Sequence, residues 1–376
     1  MPIEGGIVLD FTFMKSVLKI DDENMMCLVE PGIVCAELNA ILAKRGFFLP
    51  PVPASSEMAT IGGCVANNAA GYRTVKYGSF KNWILGLETV LPSGKVIWTG
   101  SKTRKTSSGY DLTRLLVGSE GTLGIFTKIR LRIHPLPECR RLLIAYYNDI
   151  ENACKTVIDL MSSNILPSAV EIMDKLSIEA VIKYGIELQK CESIVIVELD
   201  GTENDVRQRM KVVKKISVEH NAFNTHIGIS KEEIKDLWKG RKSITPALVA
   251  IKPNIIDEDI AVPVTQVVEL FKRIKGISDE LGLSIATYGH IGDGNLHPDI
   301  LFDKRRPEEV DKAIKAVEKL REIVIELGGT LTGEHGIGIR RMKVLKMEHQ
   351  EEEIEVMRLI KNTLDPKNIM NPAKMI

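Results

Sequence analysis

The 376-residue sequence has no apolar run of the roughly 18–20 residues that a membrane-spanning helix needs. Its first residues, Met1–Gly6, also lack the basic and then apolar segments of a secretory signal. Charge of one sign is not in excess either, because 50 Lys and Arg residues balance 50 Asp and Glu residues. Proteins that bind nucleic acid or a membrane surface through their overall charge usually have a positive excess. The sequence therefore predicts a cytoplasmic protein that does not bind nucleic acid.

Cysteine is scarce, and its spacing excludes two further classes of protein. The six cysteines include no CxxC pair and no zinc-ribbon spacing, so they are predicted to be reduced thiols and not a disulfide framework.

Hydrophobic residues make up 44% of the chain and charged residues 27%, which is typical of a globular protein. At about 150 residues per domain, the length predicts two or three domains.

The pattern of residues changes near position 137. Residues 1–137 are rich in glycine and in short β-type runs such as Gly6–Leu9, Met26–Val29 and Ile84–Leu91. After Pro135 and Pro137, strands alternate with long amphipathic helices, which indicates an α+β domain with helices over a sheet. Later strands are predicted at Leu142–Tyr147, Ser193–Leu199, Leu283–Tyr288 and Asp299–Phe302, and helices at Ile150–Met161, Asp205–His220, Val264–Leu281, Pro307–Leu327 and Glu352–Leu364. We therefore expect one domain over 1–137 and a second over 138–376, with a helical tail from about residue 340.

Two segments of the first half consist largely of small residues, Ala59–Gly71 and Gly118–Ile125. Small side chains let a flat or phosphorylated ligand approach backbone N–H groups, which can bind anions. Neither segment has the lysine of a phosphate-binding loop or the GxGxxG spacing of a dinucleotide-binding turn. On spacing alone, tight turns in a β-rich domain are the better explanation.

Three of the seven histidines fall in two short motifs of the second half, Gly289–His297 and Gly333–Gly338. A tight Gly-Asp-Gly-Asn turn between His290 and His297 would bring both imidazoles to one side of a hairpin. With Glu334 they offer two nitrogens and one carboxylate, which suits a divalent metal ion that keeps open positions. The alternative is that these histidines cap turns and satisfy backbone groups.

Arg241 and Thr245 are four residues apart in a predicted helix, which places a guanidinium and a hydroxyl on one helix face. Such a pair can bind a carboxylate, because a guanidinium forms two parallel hydrogen bonds with it. The alternative is an exposed basic helix start.

The chain resembles the FAD-linked 2-hydroxy acid dehydrogenases, a group within the vanillyl-alcohol-oxidase superfamily that includes D-lactate dehydrogenase, glycolate oxidase and D-2-hydroxyglutarate dehydrogenase. The resemblance lies in six motifs, which read ATIGGCVANNAAG, VKYG, DLTRLLVGSEGTLGI, GHIGDGNLH, GEHGIG and LDPKNIMNPAK. It implies an FAD-binding domain of the vanillyl-alcohol-oxidase type followed by a ferredoxin-like substrate domain and a C-terminal helical segment. The family's glycine-rich pyrophosphate loop has no counterpart before residue 2, so the FAD-binding domain is expected to be N-terminally truncated, with its first subdomain missing.

The resemblance also implies roles for individual residues. FAD would be bound by Pro53, Thr60, Gly62, Gly63, Asn67, Gly71, Gly121 and Ile125. His290, His297 and Glu334 match the ligands of a divalent metal ion, zinc, manganese or iron. His335 matches the residue beside the substrate hydroxyl and is the candidate general base, and Arg241 and Thr245 match contacts to the substrate carboxylate.

The implied reaction is the oxidation of a D-2-hydroxy acid, of the D-lactate or glycolate type, to the 2-oxo acid. The hydride passes to flavin N5, while the metal lowers the hydroxyl pKa and His335 accepts the proton. An electron-acceptor protein or a quinone is then needed, and an iron–sulfur subunit or a separate N-terminal polypeptide would also be expected, with peripheral membrane association through such a partner.

Two alternatives to this function stay open at the sequence level. One is a non-catalytic or split subunit of such a flavoprotein complex, which would need a separate N-terminal piece. The other is a flavin-free metallohydrolase that uses His290, His297 and Glu334, but this leaves the glycine-rich segments without a purpose.

Overall fold

The structure of the protein, a computed structural model, describes residue 3 and residues 5–376, and these residues form two compact units. The first unit combines the described residues up to Leu136 with Glu334–Ile376, and the second unit is Pro137–Gly333. Strands and helices are mixed in both, which confirms the α+β class. The domain boundary at 137/138 stays a prediction, and the predicted absence of a signal falls partly on Met1, Pro2 and Glu4, which lie outside the described residues. No described helix combines the length and the apolar character needed to cross a membrane.

The first unit is built on a five-stranded antiparallel sheet. Its strands and those of a two-stranded ribbon are β1 (Val17–Asp21), β2 (Met26–Val29), β3 (Phe47–Phe48), β4 (Ile84–Val90), β5 (Val96–Gly100), β6 (Ile125–Arg132) and β7 (His134–Pro135). The sheet order is β1-β2-β6-β4-β5, and β3 pairs with β7. β6 lies at the centre, and its Phe126, Ile129 and Leu131 are buried in the core. The strand predicted at Gly6–Leu9 is wrong: these residues are exposed and pair with no strand of the described structure.

Short helices cover this sheet: α1 (Cys35–Ala43), α2 (Ile61–Asn67), α3 (Thr74–Tyr77) and α4 (Leu112–Leu116). The ends of α2 are set by local chemistry. The Thr60 side chain accepts a hydrogen bond from Gly63 N at 3.2 Å, which caps the first turn. Asn68, in the left-handed region with φ 50°, ends the helix. Ile61 and Val65 are fully buried, so α2 is anchored to the core by one face.

The second unit contains one large antiparallel sheet. Its strands are β8 (Cys139–Tyr147), β9 (Ala169–Asp174), β10 (Ser193–Gly201), β11 (Asn224–Gly228), β12 (Asn254–Asp257), β13 (Ile260–Ala261), β14 (Ser284–His290) and β15 (Asn295–Phe302). The order is β11-β8-β10-β9-β14-β15-β12, and β13 pairs with β15. β9 was missed by the sequence analysis because five of its six residues are buried, which leaves no apolar–polar alternation to recognise.

Several helices pack on this sheet, and they include some that the sequence did not predict, such as Lys175–Lys183. The helices are α5 (Ile150–Ser162), α6 (Lys175–Lys183), α7 (Glu203–Glu219), α8 (Lys231–Lys242), α9 (Ile244–Val249), α10 (Val267–Leu281) and α11 (Pro307–Glu326), and α12 (Met342–Glu348) and α13 (Glu351–Leu364) return to the first unit. The predicted helix at Val264–Leu281 begins with a 3-10 turn at Val264–Gln266. In α10, Leu270, Ile274 and Ile277 are buried at helical spacing.

Candidate functional site

A cavity of about 1000 Å³ lies beside α2 in the first unit. α2 turns Ile61 and Val65 into the core and presents its small residues Gly62, Gly63 and Ala66 to this cavity. Exposed backbone and small side chains allow a flat ligand to approach closely. The first unit therefore contains a space of the size and lining that a large cofactor requires.

Seven of the eight residues predicted to bind FAD line this cavity, and they are Pro53, Thr60, Gly62, Gly63, Asn67, Gly121 and Ile125. Gly71 is not among the lining residues. It has φ +157°, and a Cβ there would lie 2.4 Å from Val52 O, so close backbone packing requires a glycine. A Cβ on Gly62 would lie 2.6 Å from Pro31 Cβ, so this glycine also serves packing. The roles of all eight residues toward FAD stay predictions.

Part of the lining comes from the C-terminal tail and was not predicted from the sequence. Ile369, Met370, Asn371 and Lys374 line the same cavity. Asn371 Nδ2 donates a hydrogen bond to Gly121 O at 2.9 Å, which links the tail to the second glycine-rich segment, Gly118–Ile125. The sequence signal for this part of the lining is the family motif LDPKNIMNPAK, to which the resemblance assigned no role.

Glu334 and His335 of the first unit line this cavity as well. Glu334 is half-buried and the His335 side chain is exposed. An exposed imidazole at a cavity wall is accessible to a bound ligand, as a general base must be. The role of His335 stays a prediction at this point.

In the second unit, β14 and β15 form the hairpin predicted around the Gly-Asp-Gly-Asn turn. Tyr288 pairs with His297 and His290 pairs with Asn295, so His290 and His297 lie on the same face of the sheet. Their ring centroids are 5.4 Å apart with perpendicular planes. His297 lies inside β15 and not at its start. Both histidines are buried, so a metal ion held here would be shielded from solvent.

The close approach of His290 and His297 depends on Gly294 in the turn. Its φ is +79°, and a Cβ there would lie 1.9 Å from Val262 O. We expect Gly294→Ala to lower the free energy of unfolding by about 1–3 kcal/mol, because the backbone must move or become strained. Urea denaturation measures this. The matched control is Gly276→Ala inside α10, where a Cβ meets no atom within 4 Å and stability should be unchanged or slightly higher; equal stability of both variants would contradict the argument.

A fully buried carboxylate, Glu171 of β9, joins two of the predicted site residues. Its Oε2 accepts from Arg241 Nε at 2.7 Å, and its Oε1 accepts from His290 Nδ1 at 2.5 Å. Burial acts to raise the pKa of Glu171, but the charges of His290 and Arg241 keep it below its usual value. An ionised carboxylate only accepts hydrogen bonds, so His290 Nδ1 carries a proton. If a metal ion were bound, the ring would be neutral and Nε2 would be the metal-binding nitrogen, as in the carboxylate–histidine pairs of metal sites.

A second buried carboxylate, Asp259, lies beside the other histidine. His297 Nδ1 and Asp259 Oδ1 are 3.9 Å apart, and Asn295 Nδ2 donates to the same oxygen at 2.8 Å. Asp259 is fully buried. Neither Glu171 nor Asp259 was predicted from the sequence. For Glu171 the usable signal was a single acidic residue flanked by apolar residues, which is unusual for a buried segment unless the charge has a partner. Asp259 ends the acidic run Asp257–Asp259, so its sequence carried no such signal.

Arg241 and Thr245 do not lie on one helix as predicted, because α8 ends at Ser243 and α9 begins directly after it. The ring of Tyr288 brings them together instead. Arg241 Cζ lies 4.6 Å from the ring centroid, and Thr245 Oγ1 lies 3.1 Å from the Tyr288 hydroxyl. Arg241 is only 6% exposed, which excludes the alternative of an exposed basic helix start.

Tyr288 was also missed by the sequence analysis. Its hydroxyl donates to Asp299 Oδ2 at 2.9 Å, so the Thr245 hydroxyl is the donor in the contact between Thr245 and Tyr288. Burial and the neighbouring Asp299 charge raise the pKa of Tyr288, so its hydroxyl keeps its proton. Arg241, Thr245 and His290 are thus held by one connected polar network in the second unit. Glu334 belongs to the first unit, and its role as a third metal ligand stays a prediction.

Two protein families match consecutive parts of the chain. A family described as FAD binding domain matches residues 1–100, and a family described as FAD linked oxidases, C-terminal domain, matches residues 136–375. The second match alone covers more than half of the chain.

Curated relatives match over the whole chain. The glycolate oxidase subunit GlcD of Bacillus subtilis is 39% identical over 377 residues, which cover 100% of this chain and 80% of the relative. The mitochondrial D-lactate dehydrogenase [cytochrome] of Arabidopsis thaliana is 36% identical, over 99% of this chain and 66% of its own length.

Solved structures agree on the fold. A p-cresol methylhydroxylase structure matches 96% of this chain and 78% of that chain with a TM-score of 0.77 and 19% identity. An alkyldihydroxyacetonephosphate synthase structure matches 96% of this chain and 65% of that chain, with a TM-score of 0.71 and 21% identity. At these identities the likeness concerns the fold alone.

Proposed function

The chain belongs to the FAD-linked oxidases of the vanillyl-alcohol-oxidase superfamily, and from this membership we propose that it oxidises a D-2-hydroxy acid to the 2-oxo acid. The relatives named for glycolate and D-lactate support a small substrate of the D-lactate or glycolate type. The observation that carries the proposal is that the first unit contains a cofactor-sized cavity and the second unit contains a buried, hydrogen-bonded Arg–Glu–His network.

The cavity beside α2 fits FAD. Its wall contains Gly63, where a Cβ would meet only Thr60 Oγ1 at 3.3 Å, so the backbone is open to a flat ring system. Asn67 and Lys374 add polar groups that can meet a polar cofactor. FAD, when bound, supplies the acceptor for the hydride that leaves the substrate. The chain's own contribution is to bind and orient the cofactor through this wall.

The histidine pair of the second unit fits a divalent metal ion. Two imidazoles lie on one sheet face, and each has a buried carboxylate within 4 Å of its Nδ1, Glu171 for His290 and Asp259 for His297. A carboxylate that is hydrogen-bonded to a metal-binding histidine, as Glu171 is to His290, orients the ring and raises its basicity. A bound zinc, manganese or iron ion would supply the positive charge that lowers the pKa of a substrate hydroxyl. Glu334 is the proposed third ligand on the basis of its motif.

We assign the proton-accepting role to His335 and the orienting role to Arg241 and Thr245. His335 is exposed at the cavity wall, where an imidazole can take a proton from a hydroxyl. The guanidinium of Arg241 donates a hydrogen bond to Glu171 and stacks on the ring of Tyr288. These two contacts pre-organise it to bind a carboxylate in one orientation. Holding the substrate in the reactive orientation supplies a large part of a rate enhancement.

Anaerobic flavin reduction tests this function. We expect the purified protein, loaded with FAD, to show a flavin absorbance band that bleaches with D-lactate or glycolate. L-lactate is the control for stereochemistry and should bleach the flavin far more slowly. A protein that retains no flavin after reconstitution, or whose flavin is not bleached by any 2-hydroxy acid, would refute the proposal.

Turnover also needs an acceptor for the electrons, and we propose an electron-acceptor protein or a quinone. One relative is named as a subunit and another as a cytochrome-linked dehydrogenase, which supports a partner protein. An iron–sulfur subunit and a separate N-terminal polypeptide stay predictions, as does the split-subunit alternative. The FAD-loading experiment separates them, since a split subunit would retain FAD only after co-expression with its partner.

A further inference from the structure

We propose that Glu120 is a positioning residue for His335: it holds the backbone of the segment Glu334–Gly338 against the second glycine-rich segment. This inference rests on the proposed function, because it concerns the proposed base. All of these residues belong to the first unit. The resemblance assigned a role toward FAD to Gly121 and Ile125 of this motif and no role to Glu120.

The Glu120 carboxylate accepts two backbone hydrogen bonds from the segment that carries His335. Ile337 N donates to Oε1 and Gly338 N donates to Oε2, each at 2.7 Å. Successive N–H groups that point to one anion form a recognised anion-binding arrangement. Both oxygens of one side chain are therefore used to hold this short segment.

The segment's own glycines are suited to this contact. Gly336 has φ +77° and Gly338 has φ +52°, in the left-handed region that favours glycine. A Cβ on Gly336 would lie 2.6 Å from Glu120 Oε1, so a side chain there would push the carboxylate away. In the GEHGIG motif His335 is followed directly by Gly336, and the Glu120 contact requires a residue without a side chain at that position.

Glu120 is itself firmly placed, at a backbone conformation that a non-glycine residue rarely adopts. Its φ is 50°, and its backbone N–H donates to Ala66 O of α2 at 2.8 Å. An unfavourable backbone conformation persists only where the surroundings determine it, and it is often found at functional sites. Hydrogen bonds therefore connect Ala66 of α2 to Glu120, and Glu120 to the backbone of Ile337 and Gly338. The wall of the cavity and the proposed base are therefore fixed to each other.

Removal of this contact should affect the rate of reaction more than binding. Glu120→Gln keeps the size of the side chain but has only one acceptor oxygen, and its amide group would face a backbone N–H. We expect flavin content to be unchanged and the rate constant of anaerobic flavin reduction at saturating D-lactate or glycolate to fall about 10–100-fold, since small displacements of a reacting group have effects of this order. The half-saturating substrate concentration should change little.

Two comparisons separate positioning of His335 from a merely structural role. The double variant Glu120→Gln/His335→Ala should reduce flavin no more slowly than His335→Ala alone, because Glu120 acts through His335. The matched control is Glu23→Gln, an exposed glutamate in the turn between β1 and β2, which should reduce flavin at the wild-type rate. A normal rate in Glu120→Gln, or multiplicative effects in the double variant, would overturn the proposal.

Amide hydrogen exchange provides a readout that does not depend on activity. We expect the Ile337 and Gly338 amides to exchange faster in FAD-loaded Glu120→Gln than in the wild-type holoprotein, and at the wild-type rate in Glu23→Gln. Unchanged exchange at these two amides in Glu120→Gln overturns the proposed contact. A failure of the proposed function would instead appear as unbleached flavin in the wild-type protein, so the two failures are distinguishable.

Discussion

His335→Ala is expected to slow flavin reduction by about 10²–10⁴-fold, the usual contribution of a positioned general base. The side chain is exposed at the wall of the cavity and is not part of the hydrophobic core of the first unit. Its removal should therefore leave the fold and the flavin content unchanged. The loss should appear in the chemical step, because only proton removal from the substrate hydroxyl is impaired.

Anaerobic stopped-flow absorbance of the flavin measures this effect, and the flavin-to-protein ratio measures cofactor content. His226→Ala is the matched control, because His226 is exposed on β11 of the second unit and has no assigned role. Added imidazole should restore part of the rate in His335→Ala. Flavin reduction at the wild-type rate in that variant would remove His335 from the role of base.

Glu171→Gln is expected to lower the free energy of unfolding by about 3–5 kcal/mol, as when one partner of a buried ion pair is removed. The change leaves the buried Arg241 guanidinium without this anion and gives His290 Nδ1 a neutral partner. The proposed metal site should bind its ion about 10–100-fold more weakly, which is typical when the carboxylate behind a metal-binding histidine is lost. Substrate orientation should weaken as well, because Glu171 also holds Arg241.

Urea denaturation and metal analysis after dialysis measure the two effects. Glu198→Gln is the matched control. Glu198 is a buried carboxylate of the neighbouring strand β10, and it accepts from Trp238 Nε1 at 3.1 Å and from Ser168 Oγ at 3.1 Å. It should lose stability but keep the metal. Equal metal loss in both variants would mean that Glu171 has no specific role toward His290, and a wild-type protein that binds no divalent metal would refute the metal site.

The sequence alone determined the α+β class and most helices of the second unit. α5, α7 and α11 were predicted with ends within a few residues, because apolar residues recur at helical spacing along each of them. The β14–β15 hairpin was predictable for a similar local reason, since the turn glycines and the two strands are adjacent in the chain.

Only the tertiary structure decided which side chains complete the candidate site. Glu171 is 119 residues from His290 and 70 residues from Arg241. It reaches His290 because β9 pairs with β14, and it reaches Arg241 because the end of α8 packs close to β9. Strand pairing across such separations leaves no periodic pattern in the sequence, since it depends on the packing of the whole sheet. For the same reason, the end of α8 at Ser243 was not predictable, nor was the contact of Tyr288 with both Arg241 and Thr245. The sequence identified the residues with suitable chemistry, and packing over long chain separations determined their neighbours.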